Sequence, residues 1–263
     1  MGWLAVPKDW IASFGDIVKF SGRVIREVFG LRVFKFFGEA LRQAGILIVG
    51  STIVIWSLCF IIGLQCGIEG AYLNRSIGAP AYSGVFAAWC GLRELIPYAF
   101  GYMMAAKIGT GLVAELGAMR VDEEIDALDA MSVRSLAYLA GTRLLGCALV
   151  LPAAYILAVA AADAGAALMG LGRFHDVSGG TWRQFFLLFQ DPTDLIFSGL
   201  KGLAISAWVV VVSLSYGYGV RGWPVDVGSA TARSMAVNIV GVTFISTAGT
   251  LLFWGANPRL PLG

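Results

Sequence analysis

The sequence predicts an all-α integral membrane protein: an interfacial amphipathic helix at the N-terminus, five transmembrane helices, and a short cytoplasmic helix between two of them. Three observations predict it. Hydrophobic residues make up 58% of the 263 and charged residues 14%, against roughly 25% charged in an ordinary soluble domain. The mean hydropathy is +0.77. Several apolar runs pass the ~20 residues that cross a hydrocarbon core. A water-soluble globule of this length could not bury so much apolar surface.

Residues 1–43 do not read as a signal peptide, because no apolar core follows the first charges. Phe14, Ile17, Val18, Ser21, Val24, Ile25, Val28 and Phe29 recur at three-to-four spacing, with Lys19, Arg23, Arg26 and Glu27 between them. That pattern is an amphipathic helix lying on a membrane surface. Seven of the 19 Lys and Arg residues (Lys8, Lys19, Arg23, Arg26, Arg32, Lys35, Arg42) fall in this stretch. Basic residues beside a first span place it, and the N-terminus, in the cytoplasm.

Residues 44–263 form the membrane domain. Hydropathy divides them into spans at about Ala44–Leu64, Tyr82–Ala106, Leu136–Ala162, Leu195–Tyr218 and Met235–Trp254. An odd number of spans puts the C-terminus outside. The loops agree with this sidedness: Lys107, Arg120 and Arg134, then Arg221 and Arg233, fall in inner loops, while the outer ones carry Arg75, then Arg173 and Arg183. The outer loop of about residues 163–194 contains Ser178-Gly179-Gly180 and an apolar stretch, Thr181–Gln190, able to pack as a small helix.

Several function classes drop out. A net charge of +2 offers no basic field for nucleic acid. Cys59, Cys66, Cys90 and Cys147 lie in or beside apolar runs without a CxxC pair, which reads as buried thiols. His175 is the one histidine and has no partners for a metal. No GxxxxGK[ST] loop is present. The chain is therefore expected to have no catalytic residues, metal or bound cofactor of its own.

Two segments carry chemistry. The inner loop reads KIGTGLVAELGAMRVDEEIDALDAMSVR. Taken as a helix over Arg120–Met131, it has Asp122 as N-cap, Glu123 and Glu124 in the first turn where the helix dipole favours acids, and Ile125, Leu128 and Met131 on one stripe. Acids outward and a stripe inward suit docking into a groove of a soluble partner; they suit a solvated loop helix equally. The other segment is Leu92-Arg93-Glu94-Leu95-Ile96-Pro97, inside the second expected span. Intramembrane charges are costly and face a cavity or the bundle interior, lining a path or locking helices as an ion pair. Pro97 frees a carbonyl there. Arg233 and Asn238, entering the fifth span, are candidates for the same polar lining. Gly101, Gly109, Gly111, Gly141 and Gly146 permit close helix approach.

LRELIP followed by KIGTGLVAELGAMRVDEEIDALDAM closely resembles the pattern of the MlaE/YrbE permeases of lipid-transporting ABC systems that work with Mce proteins. Weaker similarity covers nearly the whole chain. VSGGTW, YGYGVRGWPVDVGSATARSM and Asn257-Pro258 look most like the "B" partner of actinobacterial YrbE pairs. The resemblance implies a coupling helix at about residues 115–131, with Glu115, Arg120, Asp122, Glu123, Glu124, Asp126 and Met131 meeting an ATP-binding cassette subunit that carries ATP and Mg. It implies a second permease, which the B-type similarity makes a paralogue, Mce proteins outside, and a bacterial plasma-membrane location. Arg93, Glu94 and Arg233 match charged residues that look cavity-lining in the family. With Asn238, and with Trp56, Phe86 and Trp89 for the tail, they are the candidate substrate-cavity residues. The expected cargo is a fatty acid, mycolic acid, sterol or phospholipid, moved inward. Two other classes stand beside this one: a secondary transporter driven through Glu94, and an intramembrane lipid enzyme using Arg93 and Glu94 or His175 and Asp176.

Overall fold

The computed structural model describes residues 5–30, 33–172 and 177–255, and among them every regular element is helical. The helices are α1 (Ala5–Phe29), α2 (Phe37–Ser76), α3 (Ser83–Trp89), α4 (Ile96–Met103), α5 (Thr110–Val121), α6 (Glu124–Ala130), α7 (Thr142–Gly172), α8 (Gly179–Leu188), α9 (Pro192–Tyr218) and α10 (Pro224–Trp254). Arg173, His175, Asp176, Asn257 and Pro258, which figured in the sequence readings, lie outside the described residues.

Four segments among the described residues are long and apolar enough to cross a membrane: Val33–Ser76, Leu136–Leu171, Pro192–Tyr218 and Pro224–Trp254. They contain the first, third, fourth and fifth expected spans. The second expected span, Tyr82–Ala106, is helical but interrupted. Short π-helical segments over Cys90–Leu95 and Met104–Gly109 separate α3, α4 and α5. The first interruption falls where charges and Pro97 stand in the sequence.

The chain forms two compact units. One comprises residues 1–48, 105–150 and 207–238; the other comprises 49–104, 151–206 and 239–263. In the first unit, α1 turns Ile17, Phe20 and Val24 inward, while Val18 and Ile25 are exposed. The inward face therefore includes Phe20 and excludes two residues of the expected stripe: 17, 20 and 24 share their three-four spacing with 18, 21 and 25, and packing rather than period selects between the adjacent faces. The Phe20 ring meets Tyr218 at 5.8 Å. The extended acidic helix is also corrected. Arg120 and Val121 complete α5, and Asp122 caps the C-terminus of that helix rather than the N-terminus of the next. Glu123 then takes a left-handed conformation at φ 58° and precedes α6. A left-handed, non-glycine residue breaks the helical run there.

In the second unit, α2 and α7 approach so closely that a side chain at Gly63 would strike the Ala162 carbonyl, and one at Gly165 the Phe60 carbonyl. Backbone contact of this kind is how apolar helices gain packing energy in lipid. The apolar stretch after Ser178 is α8, with the Ser178 hydroxyl accepting from the Thr181 amide at 3.2 Å. Trp182 and Phe186 of α8 are buried with Ala87, Ala88 and Ala166.

Candidate functional site

In the second unit, the interruption at Cys90–Leu95 organises a buried polar cluster. The Ile96 amide reaches back to the Gly91 carbonyl, the i→i+5 pairing of a π-turn. By that pattern the Leu92 carbonyl would look for a donor at position 97, which is proline and has none. Helix α9 supplies the missing donors. The Ser198 hydroxyl donates to the Leu92 carbonyl at 2.5 Å, and Lys201 Nζ donates to the Arg93 carbonyl at 2.8 Å. Lys201 also donates to Glu94 Oε2 at 3.0 Å and to Thr250 Oγ1 of α10 at 2.7 Å. Its side chain is wholly buried, whereas Glu94 keeps 39% of its side chain exposed.

Arg93 points the other way. Its Nε and Nη2 donate to Asp194 Oδ2 at 2.8 and 2.5 Å, and Trp254 Nε1 donates to Asp194 Oδ1 at 2.8 Å. The guanidinium carbon lies 4.3 Å from the Trp89 ring centroid and 5.4 Å from that of Trp254, a geometry that adds cation–π attraction. Asp194, Ser198, Lys201 and Ile205, at intervals of four, three and four, form one buried face of α9.

The structure brings Arg93, Glu94 and Trp89 of the expected cavity set together. Trp89 also packs edge-on against Phe189 at 5.2 Å. Phe86 is half-buried and adjoins Gly70. Trp56 is half-buried, and its indole N–H has no hydrogen-bond partner among the described residues. Arg233 and Asn238 belong to the first unit. Asn238 is buried and donates to Ser213 Oγ at 3.1 Å. Arg233 is exposed, donates to Ser229 of its own helix, and lines a cleft of about 360 Å³ with Asp16, Tyr216, Arg221 and Asp226.

The first unit also holds the acidic segment. Glu115 on α5 accepts a bond from Arg143 Nη2 at 2.5 Å. Arg143 is buried and also donates to the Leu139 carbonyl at 3.0 Å. Ile125 is the buried residue of α6; Leu128 is half-buried and Met131 is 66% exposed, so the inward stripe is shorter than its spacing predicts. Asp122, Glu123, Glu124 and Asp126 all face outward. Arg120 ties α5 to α6 by donating to Asp126 Oδ1 at 2.8 Å.

Three charged residues of these networks escaped the sequence reading: Asp194, Lys201 and Arg143. Lys201 and Arg143 are lone cations inside apolar runs, a signal as strong as Arg93 and Glu94 gave. The four-three spacing of Asp194, Ser198 and Lys201 was legible as a polar helix face.

The profile of a family described as "Permease MlaE" matches residues 40–252. The chain is 25% identical over 252 residues to the "Intermembrane phospholipid transport system permease protein MlaE" of Haemophilus influenzae, covering 91% of this chain and 97% of that one. It is 27% identical over 221 residues to "Protein TRIGALACTOSYLDIACYLGLYCEROL 1, chloroplastic" of Arabidopsis thaliana, covering 83% of this chain and 60% of that one. A "Probable ABC transporter permease protein" of Rickettsia bellii is 27% identical over 163 residues, 62% of each chain.

Proposed function

The chain belongs to the MlaE permease family, and on that premise we propose that it is one permease subunit of an ATP-driven, Mce-type lipid importer. Family members are permease subunits of ABC transporters and not enzymes; ATP hydrolysis sits on a separate subunit. The chain is a multi-pass protein of the inner membrane. In the proposed assembly its N-terminus is cytoplasmic, its C-terminus is outside and it has five spans, the interrupted α3–α5 stretch supplying the second. A second permease, a paralogue of this one, completes a cavity between the two, and Mce proteins exchange lipid with it from outside.

The observation that carries the reading is α6. One buried isoleucine anchors it and its acids face away from the unit, so a soluble partner has a charged, seven-residue handle to hold. Closure of the ATP-binding subunits would press on α6, and the Arg120–Asp126 and Glu115–Arg143 pairs would pass the motion to α5 and α7. Arg93, Glu94, Arg233, Asn238, Trp56, Phe86 and Trp89 are the proposed cavity residues. A fatty acid, mycolic acid, sterol or phospholipid is the proposed cargo, and no covalent chemistry on it is required.

Gentle purification from the native membrane, with mass spectrometry of the proteins and lipids that accompany the chain, tests the assembly. An ATP-binding subunit, a second permease and Mce proteins are expected. A chain that emerges without an ATPase in mild detergent would overturn the proposal.

A further inference from the structure

The buried cluster around Arg93 and Glu94 shows a bias in the hydrogen bonds it leaves open. All three protons of the Lys201 ammonium are spent, on the Arg93 carbonyl, Glu94 Oε2 and Thr250 Oγ1. The Arg93 fork is held by Asp194 and sandwiched near Trp89 and Trp254. Neither cation turns a free charged edge outward; the exposed member of the cluster is the Glu94 carboxylate.

That carboxylate stands at one end of a polar ladder. Glu94, Tyr98 and Tyr102 are spaced four apart, and Thr243, Thr247 and Thr250 at four and three, so each set shares a helix face. Members of the two sets meet at both ends. Thr250 Oγ1 donates to Glu94 Oε1 at 2.5 Å, and the Tyr102 and Thr243 hydroxyls are 3.0 Å apart. Eight helical residues make the ladder about 12 Å long. Thr243 and Thr247 are exposed and the other members half-exposed, inside segments otherwise apolar enough for lipid.

The threonine protons are already committed. Thr243 Oγ1 donates to the Ile239 carbonyl at 2.9 Å and Thr247 Oγ1 to the Thr243 carbonyl at 3.0 Å. The proton between Tyr102 and Thr243 is then the tyrosine's. Apart from the Tyr98 hydroxyl, lone pairs, together with the Glu94 charge, are what these groups offer outward.

We propose that this ladder is the headgroup-reading wall of the transport cavity and that it takes lipids whose headgroup donates hydrogen bonds, a hydroxyl or an ammonium, in preference to those ending in a bare anion. The assignment rests on the transporter reading above. A carboxylate or sulfate at this wall would find one donor, the Tyr98 hydroxyl, among acceptors and a like charge, with the neighbouring cations spent. An alcohol or amine would find partners at each rung, with the ammonium gaining most at Glu94.

Three lipids with one tail, oleyl alcohol, oleylamine and oleate, test it by displacement of a fluorescent lipid from the purified permease complex. The alcohol and amine are expected to bind at least tenfold more tightly than oleate. Glu94→Gln should erase most of the preference for the amine. Because that change leaves Lys201 one acceptor poorer, the Tyr98→Phe/Tyr102→Phe double variant provides a second reading. It should weaken the alcohol severalfold with little change for oleate. Oleate binding as tightly as the other two would overturn the proposal while leaving the transporter reading intact. Binding of none of the three would overturn it as well, and the presence or absence of an ATPase in the same preparation would show whether the transporter reading falls with it.

Discussion

Arg93 and Arg143 are both buried arginines inside apolar helices, each paired to a carboxylate, yet the carboxylates differ. The Asp194 side chain is 1% exposed, with its oxygens taken by Arg93 and Trp254. The Glu115 side chain is 48% exposed and gives one oxygen to Arg143. The first pair is closed: every partner comes from the same packed unit, and removing one strands the others without water. The second is half open, so solvent or another protein can reach the acid while the arginine stays inside. A closed pair fixes helices in one arrangement, and a half-open pair can be rearranged at small cost. That difference suits the proposed assembly, in which the first unit meets an ATP-binding subunit.

The sharpest way to break this contrast is Asp194→Ala. It leaves the Arg93 guanidinium and the Trp254 N–H buried without their acceptor, and the loss of one partner from a buried ion pair costs about 3–5 kcal/mol. A large drop in melting temperature in detergent is expected; melting within a degree or two of the parent would show that the pair is not closed. Glu115→Ala should cost less, about 1–2 kcal/mol, because the site is already partly hydrated and Arg143 keeps the Leu139 carbonyl. Equal destabilisation by the two substitutions would erase the comparison. The smallest stability effect is expected for Glu123→Gln combined with Glu124→Gln, since both side chains lie on the surface. Melting should be unchanged, while affinity for the purified ATP-binding subunit falls severalfold if α6 is the docking element.

The long apolar helices were legible because hydropathy averages over some twenty residues: α2, α9 and α10 each contain one expected span, and α7 holds all but the first six residues of another. The same averaging hid Lys201 and Arg143, since one cation hardly alters the mean of a long window. The Arg93–Asp194 pairing spans 101 positions, and local spacing carries no record of such a partner. Pro97 was legible as a helix-loosening residue, but the donors that answer it come from α9. The short inner helix was placed correctly in the chain and misassigned at its start. Asp122 has the chemistry of an N-cap, yet backbone conformation at Glu123 decides the boundary, and a left-handed glutamate leaves no compositional mark. The α1 stripe shows the same limit at smaller scale, where Val18 and Ile25 satisfy the pattern but face outward.

The proline in this cluster also constrains what substitutions the molecule can accept, and in what order. Restoring an amide at position 97 would offer the Leu92 carbonyl a local donor and relieve Ser198 of that task, whereas Lys201 would still be held by Glu94 and Thr250; losing Ser198 first would leave the Leu92 carbonyl without its donor. Positions 97 and 198 are thus coupled across about a hundred residues. A lineage leaving this arrangement has a downhill route only through the proline.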